Sequence, residues 1–388
     1  MASLRLPVEG GSLEAFRLSP PSPFPLHNHT PFPRVAYAAA HVVADPLRSP
    51  DPFRHSAIDW EATLAFRRHL WGLGFKIAEA MDTSQRGTGL DWPSARELIT
   101  RSLNEARSVP GADLACGAGT DQLAPDQANT LEDVIHAYEE QLAHIEQHGG
   151  RAILMASRAL ARLARSPDDY GRVYDRILSQ AREPVVLHWL GEMFDSALAG
   201  YWGADGFEQA MQVTLDIISR NLAKVDGIKI SLLDAEKEVR MRARLPAGVK
   251  MFTGDDFNYA DLIAGDGRHY SHALLGILDP IAPAAAAAFL KLGAGDGAGY
   301  DAILHPTIAL SRKIFESPTP YYKAGVVFLA WLNGFQAHFV MVGAMQSARS
   351  ILHYAELFRL ADRASLFADP ERAAQRMRAL LAVHGVAG

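Results

Sequence analysis

The 388-residue chain has a single cysteine, Cys116. One thiol cannot build an intramolecular disulfide framework, which fits a reducing cytoplasm as the expected compartment. Long hydrophobic runs are also missing. No stretch reaches the roughly 18 apolar residues needed to span a bilayer, and the longest candidate, residues 325–332, stops at Asn333-Gly334. No basic region followed by an apolar run opens the chain, so no signal peptide is expected. Positive charge is not in excess either: the formal net charge is -6. That leaves no broad basic field to hold nucleic acid or an anionic membrane surface.

Two further absences narrow the chemistry. No pair of histidines at helical spacing encloses a glutamate, and no Cys/His cluster occurs, so a structural zinc site is not expected. Gly117-Ala118-Gly119 lacks the rest of a dinucleotide or P-loop pattern, which argues against nucleotide binding.

What is there is an alternation. The chain is 48% hydrophobic and 21% charged, enough for a large core. Eight short apolar runs can be read as strands: residues 35–40, 75–80, 113–116, 152–156, 184–187, 227–230, 249–253 and 270–275. Amphipathic stretches follow most of them, including residues 60–71, 94–106, 131–147, 169–180 and 207–222. Strand–helix alternation argues for a parallel sheet, and eight units argue for its closure into a (β/α)8 TIM barrel. Residues 1–33, rich in Pro, Gly and Ser, are expected to form an irregular N-terminal arm packed on the barrel or on a neighbouring subunit. Residues 34–290 are expected to form the barrel and 291–388 a C-terminal helical extension. The apolar residues 324–332 and 339–345 of that extension suggest a surface covered in a homo-oligomer.

In such a barrel catalytic groups sit at the C-terminal strand ends and in the loops after them. The runs end in Glu79, Asp82, Thr83 and Ser84; in His188; in Lys229 and Ser231; in Asp255 and Asp256; and in Ser271 and His272. Lys229 stands out because it lies inside the apolar run Gly227-Ile228-Lys229-Ile230. A charged amine is costly there, and desolvation lowers its pKa toward what a Schiff-base nucleophile needs. The competing reading is a lysine salt-bridged to Asp255 or Asp256. His188 can be a proton shuttle, a metal ligand or a hydrogen-bonded barrel residue, and Asp256 can be a cap of the next helix.

Taken in order, several segments resemble the dihydrodipicolinate synthase and N-acetylneuraminate lyase superfamily of class I aldolases, as a divergent branch. Val225-Asp226-Gly227-Ile228-Lys229 is similar to the strand whose lysine forms the imine in that family. Thr253-Gly254-Asp255-Asp256 resembles its glycine–aspartate turn, and Gly265-Asp266-Gly267 before Tyr270-Ser271 its approach to the last strand. Pro318-Thr319-Pro320-Tyr321-Tyr322-Lys323 resembles a segment of its helical extension, and Asp59-Trp60 the opening of its first barrel helix. Two departures stand out. Asp82-Thr83-Ser84-Gln85-Arg86 replaces the usual Gly-Thr-Thr-Gly-Glu loop, and His188 replaces a proton-relaying tyrosine.

The resemblance implies a carbon–carbon lyase or synthase that needs no cofactor beyond the lysine imine and acts on a small carbonyl substrate, a 2-keto acid or a sugar-derived compound. Lys229 and His188 would be catalytic. Thr83, Ser84, Asp255, Asp256, Ser271 and His272 would contact the substrate. The aromatic loop of residues 192–203 would make room for a larger one. An alternative is a divalent-metal isomerase, epimerase or lyase with Glu79, Asp82, His188, Asp256 and His272 as ligands. A third reading is an inactive ligand-binding barrel.

Overall fold

The computed structural model describes residues 2–28, 30–48, 51–204 and 206–386. Among the described residues ten strands form two sheets. β1 (Ser3–Pro7) and β2 (Leu13–Arg17) pair as an antiparallel hairpin. The remaining eight are β3 (Ala36–Ala39), β4 (Lys76–Glu79), β5 (Leu114–Ala118), β6 (Arg151–Leu154), β7 (Val185–Leu190), β8 (Val225–Ser231), β9 (Lys250–Thr253) and β10 (His272–Leu275). They close in the order β10-β3-β4-β5-β6-β7-β8-β9, and every pair is parallel. This is the (β/α)8 barrel expected from the alternation, with further helices after it.

The strands form where apolar residues are buried on both faces, so they read as short runs rather than alternations. Every residue of β3 and of β5 is buried. Several of the helices between them start at side-chain caps. Asp91 accepts from the Ser94 amide at the start of Trp92–Ala106, and Thr130 and Asp133 form a reciprocal capping box at Leu131–Gln147.

The chain divides into two compact units. One comprises residues 34–40 and 76–275 and contains all eight barrel strands. Its interior is a cluster of Tyr37, Ala39, Ala78, Met81, Ala115, Ile153, Val186, Phe252 and Leu274. Strand period two puts residues of one parity on this inner face. At the N-terminal end of the strands a polar layer replaces the apolar one. Asp113 accepts from Lys76 at 2.5 Å and from Arg151 at 2.7 Å, and Lys250 pairs with Asp226.

The other unit comprises residues 1–33, 41–75 and 276–388. Here residues 1–33 differ from the irregular arm expected of them, because β1 and β2 are regular. Leu4 and Leu6 alternate with exposed residues along β1, and Gly10 and Gly11, both at positive φ, make the turn. The arm packs against its own chain. The Ser19 amide and hydroxyl donate to Asp362, and Phe16 meets the ring of Phe358 edge-on, both partners lying on the helix Ile351–Arg363. The apolar helix Tyr322–Leu332 is buried along its whole length. The hydrophobic surface of residues 324–332 is therefore covered inside the chain, which leaves residues 339–345, mostly half-buried, as the remaining ground for expecting a homo-oligomer.

Among the described residues no helix is long and apolar enough to cross a membrane.

Candidate active site

Lys229 sits in the middle of β8 and is 7% exposed. Its register partners are His188 on β7 and Phe252 on β9, and Phe252 belongs to the interior cluster. The lysine therefore points along the inner face of the barrel. Among the described residues its Nζ makes no hydrogen bond or ion pair. Burial lowers its pKa from the ordinary lysine range, and the charges of Asp82 and Asp256 pull only partly the other way. The salt bridge to Asp255 or Asp256 that competed with the Schiff-base reading does not form.

Room for this side chain comes from a glycine. A Cβ at Gly254 would lie 2.7 Å from Lys229 Cε, 2.3 Å from Ser231 Oγ and 2.7 Å from the Ile230 carbonyl oxygen. The Gly254 amide meanwhile donates to that same carbonyl at 2.8 Å. Any larger residue would push the β9 exit away from the lysine strand.

His188 is buried, and its Nε2 lies 3.2 Å from Ser231 Oγ. Its Nδ1 is buried with no partner among the described residues. Burial, reinforced by the charge of Lys229, pushes its pKa well below the ordinary histidine value, so the ring is neutral. His188 lines a cavity of about 340 Å³ with Asp82, Arg86, Thr120, Asp121, Arg158 and Asp195 among the other walls.

The loop after β4 turns through Ala80 and Gln85, both at positive φ. It is held by Arg86, which donates to the carbonyls of Ala80 at 3.1 Å and Gly117 at 2.8 Å and forks onto Asp121 at 2.6 and 2.9 Å. Thr83 and Ser84 are buried in this loop, and the Ser84 hydroxyl donates to the Met81 carbonyl at 2.7 Å. That proton is thus not available to a substrate carboxylate. Gly117 and Gly119 have packing duties. A Cβ at Gly117 would meet Met155 Sδ at 2.6 Å, and the Gly119 amide donates to Gln141 Oε1 at 2.6 Å.

Other expected contacts fall elsewhere. Asp255 caps its own turn, accepting from the amides of Phe257 at 2.9 Å and Asn258 at 3.1 Å. The next helix, Tyr259–Ala264, has Asn258 at its N-cap position without a side-chain cap bond. Asp256 itself is buried near Lys229. Ser271 and His272 are not at a strand exit: β10 begins at His272, so both lie at the N-terminal end of the barrel. Ser271 donates to Glu238 at 2.6 Å, and His272 Nδ1 accepts from the Val35 amide at 2.9 Å. Lys250, Arg34 and Asp226 surround His272, and burial with the first two lowers its pKa to about 4.

Glu79 is also off the inner face, one residue from the interior Ala78 and paired in register with Cys116. The five residues of the metal alternative consequently do not converge, and among the described residues no group of three or more His, Cys, Asp or Glu side chains could hold a metal ion.

In the aromatic loop of residues 192–203, Asp195 and Leu198 line the cavity. Tyr201 and Trp202 are buried against Tyr170 and Tyr174, and the Tyr201 hydroxyl bonds that of Tyr174 at 3.0 Å. Four residues were not singled out for a role: Ser231, Gly254, Arg86 and Arg158. For Gly254 the signal was present, a glycine directly after the strand next to the lysine strand.

The chain belongs to the family described as a protein of unknown function, DUF993, whose model matches residues 4–386. Among solved structures it is similar to the dihydrodipicolinate synthase of Aquifex aeolicus, at 12% identity and a TM-score of 0.59, covering 91% of this chain and 99% of that one. It is similar to YagE from E. coli K12, a prophage protein of the dihydrodipicolinic acid synthase family in complex with pyruvate. There the identity is 12%, the TM-score 0.65 and the coverage 86% and 99%. The 4-hydroxy-tetrahydrodipicolinate synthase of Methylacidiphilum fumariolicum SolV matches at 14% identity and a TM-score of 0.64, covering 89% and 99%. Likeness at such identities is a likeness of fold, consistent with a divergent branch. No curated protein matches the chain.

Proposed function

We propose that this protein is a Schiff-base aldolase, a carbon–carbon lyase or synthase acting on a 2-keto acid or a related sugar-derived carbonyl compound. One observation carries the reading: Lys229 is buried on the inner face of the barrel with a lowered pKa and no carboxylate bonded to its amine. A structural lysine would be paired, because an unpaired buried ammonium is costly. A neutral amine is the nucleophile that attacks a carbonyl.

In this mechanism Lys229 Nζ adds to the substrate carbonyl, water leaves, and the resulting iminium accepts the electron pair of the adjacent carbon–carbon bond. His188, neutral and at the lysine's register position on the neighbouring strand, moves protons during imine formation and bond cleavage. Thr83 would help position a carboxylate at the β4 exit, and Asp256 would act near the imine. The imine supplies the electron sink, so the reaction calls for no further cofactor. The bound pyruvate of YagE is consistent with a small carbonyl partner for this fold.

The test is trapping. Purified protein is incubated with pyruvate and with a panel of sugar-derived 2-keto acids, borohydride is added, and intact and peptide masses are read. A reduced adduct on Lys229 is the expected result. Binding of a keto acid without any reducible adduct would overturn the aldolase reading in favour of a ligand-binding barrel.

A further inference from the structure

Resting on the Schiff-base reading, we infer that a second, apolar cleft beside the β7 exit is a tail subsite. It takes an uncharged aryl group at the far end of the substrate, while the polar cavity lined by His188 holds the other end.

The inference starts from two adjoining spaces with unlike walls. The cavity that His188 lines carries two arginines and three aspartates. A second cavity of about 440 Å³ is lined by Trp189, Met193, Phe207 and Leu232, and it shares Leu190 and Leu198 with the first. A ligand that passes these two leucines goes from hydrogen-bonding groups to apolar ones. Small-molecule sites commonly join a few polar groups to an apolar lining in this way.

Strand alternation explains the split. Along β7, His188 and Leu190 share one face and Trp189 takes the other. Trp189 thereby meets the helix Phe207–Arg220, where its ring stacks on Phe207 with centroids 5.7 Å apart and planes at 21°. Trp189 is buried and forms a fixed wall, whereas Phe207, Leu190 and Leu232 are only half-buried and Met193 is exposed. Apolar surface left open at one place marks a contact waiting for a partner. A flat ring suits these walls, since it can stack on an aromatic face and meet a thioether at its edge. The charged groups of the lining stay at the rim: Lys237 pairs with Asp234 at 3.1 Å, and Glu192 is exposed.

The loop that carries Leu198 is pinned on both sides of it. Asp195 Oδ1 accepts from the Ala197 amide at 3.1 Å, and Oδ2 accepts from Arg158 Nε at 2.5 Å. This fixes the turn Ser196–Leu198 and keeps Leu198 buried between the two cavities. Further on, the Tyr201 hydroxyl accepts from the Ser157 amide at 3.1 Å.

The experiment uses the full chain with pyruvate and with 2-oxo-4-phenylbutanoate, 2-oxo-5-phenylpentanoate and 2-oxo-6-phenylhexanoate. Borohydride trapping gives the half-saturating concentration of each. The best phenyl compound should need at least about 10-fold less than pyruvate, as expected for burying one ring. Phe207→Ala and Met193→Asp should each shrink that ratio at least about 5-fold. Calorimetry with the matching phenylalkanoate, which has no carbonyl, reads the cleft without an imine, and its binding should weaken to a similar degree in Phe207→Ala. No phenyl advantage in the wild type, or an advantage that survives both substitutions, would overturn the tail subsite. So would a phenylalkanoate that binds without competing against pyruvate trapping, because the two spaces would then serve separate ligands. Phe207-dependent binding of the phenylalkanoate to a protein that forms no adduct with any 2-oxo acid would instead sink the aldolase reading and leave the cleft standing.

Discussion

Lys229 on β8 and His188 on β7 are register partners, which sets an amine and an imidazole side by side on the inner face of two adjacent parallel strands. Each is buried, and the lysine's charge adds to the burial that keeps the histidine neutral. A pair of basic groups held in this way resists double protonation. That is the state in which one can attack a carbonyl while the other moves protons.

Replacing the amine by an apolar chain separates function from stability. Lys229→Met should lose the borohydride adduct completely. Its stability to urea should be unchanged or higher by ~1–3 kcal/mol, because a buried amine without a partner is removed. A loss of about 3 kcal/mol or more would mean that the lysine serves a structural ion pair after all.

The pH dependence of trapping follows from the lowered lysine pKa. The unprotonated amine is the reacting form, so the initial rate of imine formation should rise with pH. It should level off below the ordinary lysine value of about 10.4. Stopped-flow reduction across that range reads the midpoint. A midpoint at or above the ordinary value would contradict the desolvated environment.

Glu238 offers a second pH test, away from the site. Burial raises its pKa to about 8 against the hydrogen bonds from Ser271 and Thr253. Between the unfolded value of about 4.3 and about 8 the folded chain holds a proton that the unfolded chain has released. Stability from this group is therefore complete below that window and is lost as pH rises through it. Glu238→Gln should flatten this part of the pH–stability curve in thermal melts, whereas an unchanged slope would show that Glu238 is ionised.

Arg86 ties the β4 and β5 exits together through two carbonyls, Asp121 and Gln141. Arg86→Ala should destabilise the protein by ~3–5 kcal/mol, since it strands a carboxylate and buried acceptors. Arg86→Lys should recover only part of this, because an ammonium cannot reproduce the fork. Urea titration of the two variants checks both statements.

The barrel was legible in the sequence because parallel strands buried on both faces appear as short apolar runs separated by helix-length stretches. All eight were found. Strand ends were harder to read. Taking β10 from residue 270 put Ser271 and His272 with the exit residues, although His272 opens the strand. The hairpin of β1 and β2 escaped notice because β2 is largely exposed and its pairing depends on the Gly10-Gly11 turn. Lys229 was legible because a charge inside an apolar run is conspicuous. Ser231, Arg86 and Gly254 gain their meaning from strand pairing and loop closure, which no local pattern encodes. The packing of Tyr201 and Trp202 against Tyr170 and Tyr174 was not legible either, since composition does not say which way a ring points.

Gly254 also carries a lesson for anyone wishing to move this chemistry elsewhere. Grafting a reactive lysine onto a strand of another barrel would not suffice, since the adjoining strand must also be cleared of side-chain bulk where the amine's stem passes. The transplantable unit is therefore a pair of positions on neighbouring strands, one filled and one left empty, and a designer who copies only the filled one should expect a lysine that cannot lie flat.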